Sequence, residues 1–148
     1  MSLDVYLSMN NMQEFRRERI LIRESGRIIE IDQEEWSRRF PDRRPVKIVD
    51  YQTNEVYWAN ITHNLGLMAD AVGIYHHLWE PETLGIVKAE QLIMPLFDSL
   101  ELLKSDPERF KTFNPLNGWG TYEGLVSFVE EYLKACYLYP EATIQISR

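Results

Sequence analysis

Cysteine is almost absent from this sequence: Cys136 is the only one in 148 residues. No disulfide can close within the chain, which excludes a secreted disulfide scaffold and a cysteine-pair zinc site. Long apolar runs are absent too. Nothing approaches the roughly 18 consecutive apolar residues of a membrane-spanning helix, so no membrane partner is expected. Met1-Ser2-Leu3-Asp4-Val5 has no charged segment leading into an apolar one, so no secretory leader is expected either. The expected compartment is the cytoplasm, of a bacterium or of a phage-infected cell. Several chemical signatures are missing as well: the P-loop lysine, Gly-x-Gly-x-x-Gly, His-Glu-x-x-His and Gly-x-Ser-x-Gly. No cofactor is implied.

There is no excess of positive charge. The formal net charge is −7. Residues 1–50 are neutral, so the whole deficit lies in residues 51–148. That part of the chain repels polyanions at long range. Non-specific nucleic-acid binding rests on phosphate neutralisation, so nucleic acid is not an expected partner. Ten of the sixteen Lys and Arg residues fall between Arg16 and Lys47, interleaved with Glu and Asp. They read as a solvated surface of mixed charge rather than as a phosphate-binding patch.

What is present suits one α+β domain spanning residues 1–148. Hydrophobic residues make up 45% and charged residues 26%, an ordinary globular balance. A chain of this length can bury a core without a metal or disulfide staple. Leu3, Val5 and Leu7 alternate with polar neighbours and predict a first strand. Two β-branched runs around Ser25-Gly26 predict a hairpin over residues 19–31. A short helix is expected over 33–40, stopped by Pro41. A strand is expected at 46–49 and a central one at 55–62, followed by a helix from His63 to Val72 capped by Thr62 and stopped by Gly73. Residues 74–83 read as a loop or short helical turn. Residues 84–104 read as a kinked helix or two abutting ones because of Pro95, and 107–113 as a short helix. Leu125, Phe128, Val129, Tyr132, Leu133 and Cys136 mark the apolar stripe of a long helix from Thr121 to Tyr137. A last strand at 143–147 should pair with the first. The expected architecture is a small, mainly antiparallel sheet with its N- and C-terminal strands paired, packed on three to five helices.

Three polar-aromatic clusters stand out: Asn60-Ile61-Thr62-His63-Asn64, Tyr75-His76-His77-Leu78-Trp79-Glu80, and Asn114 to Glu123, which contains Asn117-Gly118-Trp119-Gly120. The strings Ser2-Leu3-Asp4-Val5-Tyr6-Leu7, Ala59-Asn60-Ile61-Thr62-His63-Asn64-Leu65 and Asn114-Pro115-Leu116-Asn117-Gly118-Trp119-Gly120-Thr121-Tyr122 resemble a family of small bacterial and phage proteins. The resemblance runs from Leu3 to Arg148 and implies one intact domain. It brings no activity and no catalytic residue to this chain.

A pocket is expected where the strand end at Asn60, Thr62, His63 and Asn64 meets the loop carrying Asn114, Asn117, Trp119 and Tyr122, with Tyr75, His76 and Trp79 at its rim. Amide, imidazole and indole groups in an apolar setting are the usual lining of a small-ligand site. The leading reading is therefore a non-catalytic domain that binds a small polar, nucleotide-like molecule. The structural alternatives are a histidine that braces the strand-helix junction at His63 and a tryptophan wedged into the core at Trp119. Cys136 falls in the apolar phase of its helix and reads as core, and no serine sits in a nucleophile motif. A second reading is an acidic interaction domain of immunity or counter-defence type, whose Glu82, Glu90, Asp98, Glu101, Asp106 and Glu108 would meet a basic protein. A third is a metal-dependent hydrolase using His63, His76 and His77, with Asp70, Glu80 and Glu123 as further ligand candidates. The spacing is against it: in one continuous helix His63 and His77 would stand about 21 Å apart.

Overall fold

The computed structural model describes residues 1–10, 15–52 and 54–148. Leu3, Val5 and Leu7 are completely buried, while Asp4, Tyr6 and Ser8 are half-buried. This is the alternation of a strand with one face in the core. That strand is β1, Ser2–Ser8.

The chain has the α+β architecture, and its terminal strands pair, but the strands divide between two antiparallel sheets rather than forming one. The hairpin of β2 (Phe15–Glu24) and β3 (Arg27–Ile31) turns through Ser25 at φ 53 and Gly26 at φ 78. Positive φ at both positions matches the right-handed twist of a two-residue hairpin. With β4 (Lys47–Gln52) it makes a sheet of order β3-β2-β4. The other sheet has the order β5-β1-β6, with β5 spanning Glu55–Thr62 and β6 spanning Thr143–Ser147. In its register Leu3 faces Ile61 and Leu7 faces Ile144.

The sequence marks 55–62 as a central strand, but the centre is β1. The outer edge of β5 is covered instead: the Thr62 amide donates to the Gly26 carbonyl at 2.7 Å. A β-branched, aromatic strand is tolerated at a sheet edge when another element seals it. This contact is where the two sheets meet.

Six α-helices lie among the described residues, against the three to five expected. α1 is Gln33–Arg39, capped by the Asp32 carboxylate on the Glu35 amide at 2.7 Å. After β5 the chain makes a 3-10 turn over His63–Leu65 and then α2, Gly66–Val72, which ends at Gly73 with φ 86. α3 is Tyr75–Trp79. A 3-10 turn at Ala89–Leu92 abuts α4, Ile93–Ser105. Pro95 falls in the first turn of α4, where its missing N–H has no helical partner to lose. α5 is Pro107–Lys111, capped by Asp106, and α6 is Tyr122–Leu138, capped by Thr121. The whole expected stripe of α6 is buried, and the helix packs on α4 and on β5. No described helix is long and apolar enough to cross a membrane.

Candidate functional site

The turn of the β2–β3 hairpin seats against the body of the protein. A Cβ added to Gly124, in the first turn of α6, would stand 2.3 Å from the Ser25 carbonyl oxygen. One added to Gly26 would stand 2.5 Å from the Gly120 Cα, and one on Gly120 would stand 2.9 Å from Leu65. Gly26, Gly120 and Gly124 therefore let the turn meet the loop before α6 and the first turn of α6 backbone to backbone, with the Leu65 side chain packed against Gly120.

Beside this junction lies a cleft of about 620 Å³, within the range of roughly 300–1,000 Å³ typical of small-ligand sites. Arg23, Ser25 and Arg27 line it from the hairpin, Asn60, Thr62 and Asn64 from the end of β5 and the turn after it, and Asn117, Gly118 and Trp119 from the loop before α6. Five residues expected in a pocket thus do line one cleft: Asn60, Thr62, Asn64, Asn117 and Trp119. Sequence reasoning missed Arg23, Ser25 and Arg27. The Ser-Gly turn was visible, but nothing local shows where a hairpin tip docks.

Several of these groups hold the cleft together. Asn60, 2% exposed, accepts from the Ile28 amide at 3.2 Å and donates to Ser2 Oγ at 3.0 Å and Asp4 Oδ1 at 2.8 Å. It ties β5, β1 and β3 at one point. Arg27, 6% exposed, bonds Glu131 at 2.6 Å, reaches the Asn60 carbonyl at 3.4 Å and lies over the Phe128 ring. The Thr62 hydroxyl accepts from the Asn64 amide, and Asn117 Oδ1 accepts from the Trp119 amide at 2.9 Å, bending the loop tip.

Other groups stay available to a ligand. Trp119 is 55% exposed. The Arg23 guanidinium stands 5.9 Å from the centre of its indole and makes no ion pair among the described residues. The Asn64 side chain and the Asn117 amide nitrogen likewise make no hydrogen bond among the described residues.

The remaining expected site residues go elsewhere. His63 turns away from the cleft that Thr62 and Asn64 line, and its ring meets Trp79 edge-on at 6.1 Å. Tyr75 stacks on Trp79 at 5.1 Å, and His76 Nδ1 lies 2.9 Å from Glu80. Trp79 is 3% exposed and is packing, not rim. Burial, then the neighbouring His76, lowers the His77 pKa. His63 Nε2 and His77 Nδ1 are buried with no hydrogen-bond partner among the described residues. Among the described residues no three His, Cys, Asp or Glu side chains come together as a metal ligand set.

Asn114 and Tyr122 anchor the loop from behind. Asn114 Oδ1 accepts from the Tyr122 amide at 2.8 Å, and the Tyr122 hydroxyl donates to the Leu103 carbonyl at 2.7 Å. Tyr122→Phe leaves that buried carbonyl unpartnered and is expected to cost about 1–2 kcal/mol. Thermal unfolding should register it as a loss of roughly 3–6 °C. An unchanged Tm would show that the hydroxyl does no structural work. The Cys136 thiol is buried, which pushes its pKa up to about 12, so it is no nucleophile at neutral pH.

A smaller cleft of about 360 Å³ shares Arg27 and holds Arg17, Arg19 and Trp58. Its cations are answered: Arg17 and Arg19 both reach Glu30, and Arg27 reaches Glu131. Part of the interleaved charge seen in the sequence pairs up in the fold in this way. No family model, curated protein or solved structure matches the chain.

Proposed function

We propose that the chain is a non-catalytic binding domain that takes a small polar ligand in the cleft between the β2–β3 turn and the Asn117–Trp119 loop. One observation carries this reading. Stretches as far apart in the chain as Arg23 and Trp119 converge on a cleft of about 620 Å³, and they leave an exposed indole, an arginine without an ion pair among the described residues and two amides facing the same space. Committed groups such as Asn60 and Arg27 make the walls stiff, and a stiff cleft loses little ordering entropy on binding. Among the described residues no nucleophile is paired with a base in the cleft, which supports binding rather than turnover. The cytoplasm suits a chain whose one thiol is buried.

A thermal-shift screen with nucleotides and small polar metabolites tests the reading. A ligand at 100 times its Kd should add about 2.7 kcal/mol of stability, or roughly 8 °C. If no compound raises the Tm by a degree, the cleft has no small-ligand role.

One observation favours the interaction-domain reading as well. The outer face of α4 exposes Met94, Phe97 and Leu102 beside Asp98 and Glu101. An apolar strip edged with acid suits a basic partner protein. The other expected acidic positions are partly engaged: Glu82 pairs with Arg148, and Asp106 caps α5. Association through this face should weaken as salt rises, and indifference to salt would count against it.

A further inference from the structure

The charges of the cleft narrow the class of ligand, provided that the cleft is the small-ligand site proposed for it. Two of its charged side chains have partners: Arg27 is held by Glu131, and Glu24 by Arg39 at 3.4 Å. Arg23 is the exception, since its contact is the Trp119 ring. At 5.9 Å this is near the outer limit of about 6 Å for a cation–π contact, so the guanidinium is weakly engaged and free to turn. Among the described residues the cleft therefore offers one uncompensated side-chain cation. A polyanion needs a row of them, whereas a small ligand with a single anionic group needs one.

The second feature is the indole itself. A tryptophan that is 55% exposed at a cleft mouth presents a flat π-face, on which any planar heterocycle can stack. Asn64 and Asn117 supply amide groups along the same wall, and amides can both donate to and accept from the edge of such a ring.

We infer that the cleft takes a planar heterocycle carrying one anionic group, of the nucleoside monophosphate class, with the ring against Trp119 and the anion on the Arg23 guanidinium. Both side chains are exposed, so replacing them tests recognition rather than folding.

Calorimetric titration with each of the four common nucleoside monophosphates, the matching nucleosides and inorganic phosphate separates the two contacts. At least one monophosphate should bind, its nucleoside about tenfold more weakly, and phosphate alone not in the same range, because one charge-assisted contact supplies about that factor. Arg23→Met should bring the monophosphate down to the affinity of its nucleoside and leave the nucleoside within about twofold, since it touches only the charge. Trp119→Leu should weaken both by about tenfold, the worth of one stacked ring. Equal affinity for nucleoside and monophosphate, or an Arg23→Met variant with unchanged affinity, overturns the inference. So does inorganic phosphate binding as tightly as the monophosphate. If no monophosphate binds but an uncharged metabolite shifts the Tm, the ligand class is wrong and the cleft reading stands. If nothing in either set binds, both fail.

Discussion

Gly124→Ala is expected to lower the stability of this protein by about 2–3 kcal/mol, as overpacking of a tight contact does, and its Tm by roughly 5–10 °C. The sign is what makes the measurement informative. Gly124 lies in the first turn of α6, and glycine to alanine in a helix normally stabilises by about 1 kcal/mol. Here the added methyl would stand 2.3 Å from the Ser25 carbonyl oxygen, 3.2 Å from the Ser25 Cβ and 3.3 Å from its carbonyl carbon. Backbone cannot swing aside as the end of a long side chain can, so the hairpin turn must lift from α6. Lifting it stretches the bond from Thr62 to Gly26, and it moves Arg23, Ser25 and Arg27 away from the opposite wall of the cleft. Amide spectra of the variant should show the largest changes at Ser25 and its neighbours. A Tm equal to or above that of the parent would show that the turn is not seated on α6.

Asn60→Asp is the second large effect, and it carries its own pH signature. The carboxylate keeps the shape of the amide and can still accept from the Ile28 amide. It places a second negative charge where Asn60 Nδ2 now donates to Asp4 Oδ1 at 2.8 Å. Two carboxylates at that distance in a half-buried place hold a proton between them, which raises the folded-state pKa of the new group. A raised pKa gives a contribution that is favourable at low pH and lost as pH rises. The deficit of the variant is thus expected at about 3 kcal/mol or more at pH 7 and should shrink as the pH is lowered from the raised folded-state value towards about 4, the ordinary range of an aspartate. Asn60→Ala, which removes all three hydrogen bonds without adding charge, should lose about 2–4 kcal/mol at either pH. Denaturant unfolding at pH 7 and pH 4 distinguishes the pair. If both variants lose less than about 1 kcal/mol, the three-strand clamp at Asn60 is not a structural device.

These two residues show where sequence reading reached and where it stopped. The strand β1 was legible because Leu3, Val5 and Leu7 alternate with polar residues, and alternation is a property of neighbours. The same holds for the stripe of α6 and for its cap at Thr121, which acts within three residues of itself. Asn60 looked like a ligand-binding amide because its real partners, Ser2, Asp4 and Ile28, lie 58, 56 and 32 residues away. His63 sits between two cleft residues in the chain, yet its side chain points into the helical layer. The 3-10 turn that begins there sends successive side chains in different directions. Gly124 gave no signal at all, since a glycine inside a helix declares a close approach only once the neighbour is known. The cleft was foreseen on the Asn117–Trp119 and Thr62–Asn64 sides, but not on the hairpin side, because no local pattern encodes the docking of one sheet on another.

The central claim is that the ligand surface is the cleft and not the outer face of α4. Backbone amide shifts, followed residue by residue while a Tm-raising compound is titrated, test this most directly. Saturable shifts are expected at Arg23, Ser25, Thr62, Asn64, Asn117 and Trp119, with Met94, Phe97 and Glu101 unmoved. Shifts confined to α4, or spread over the surface without saturation, would contradict it.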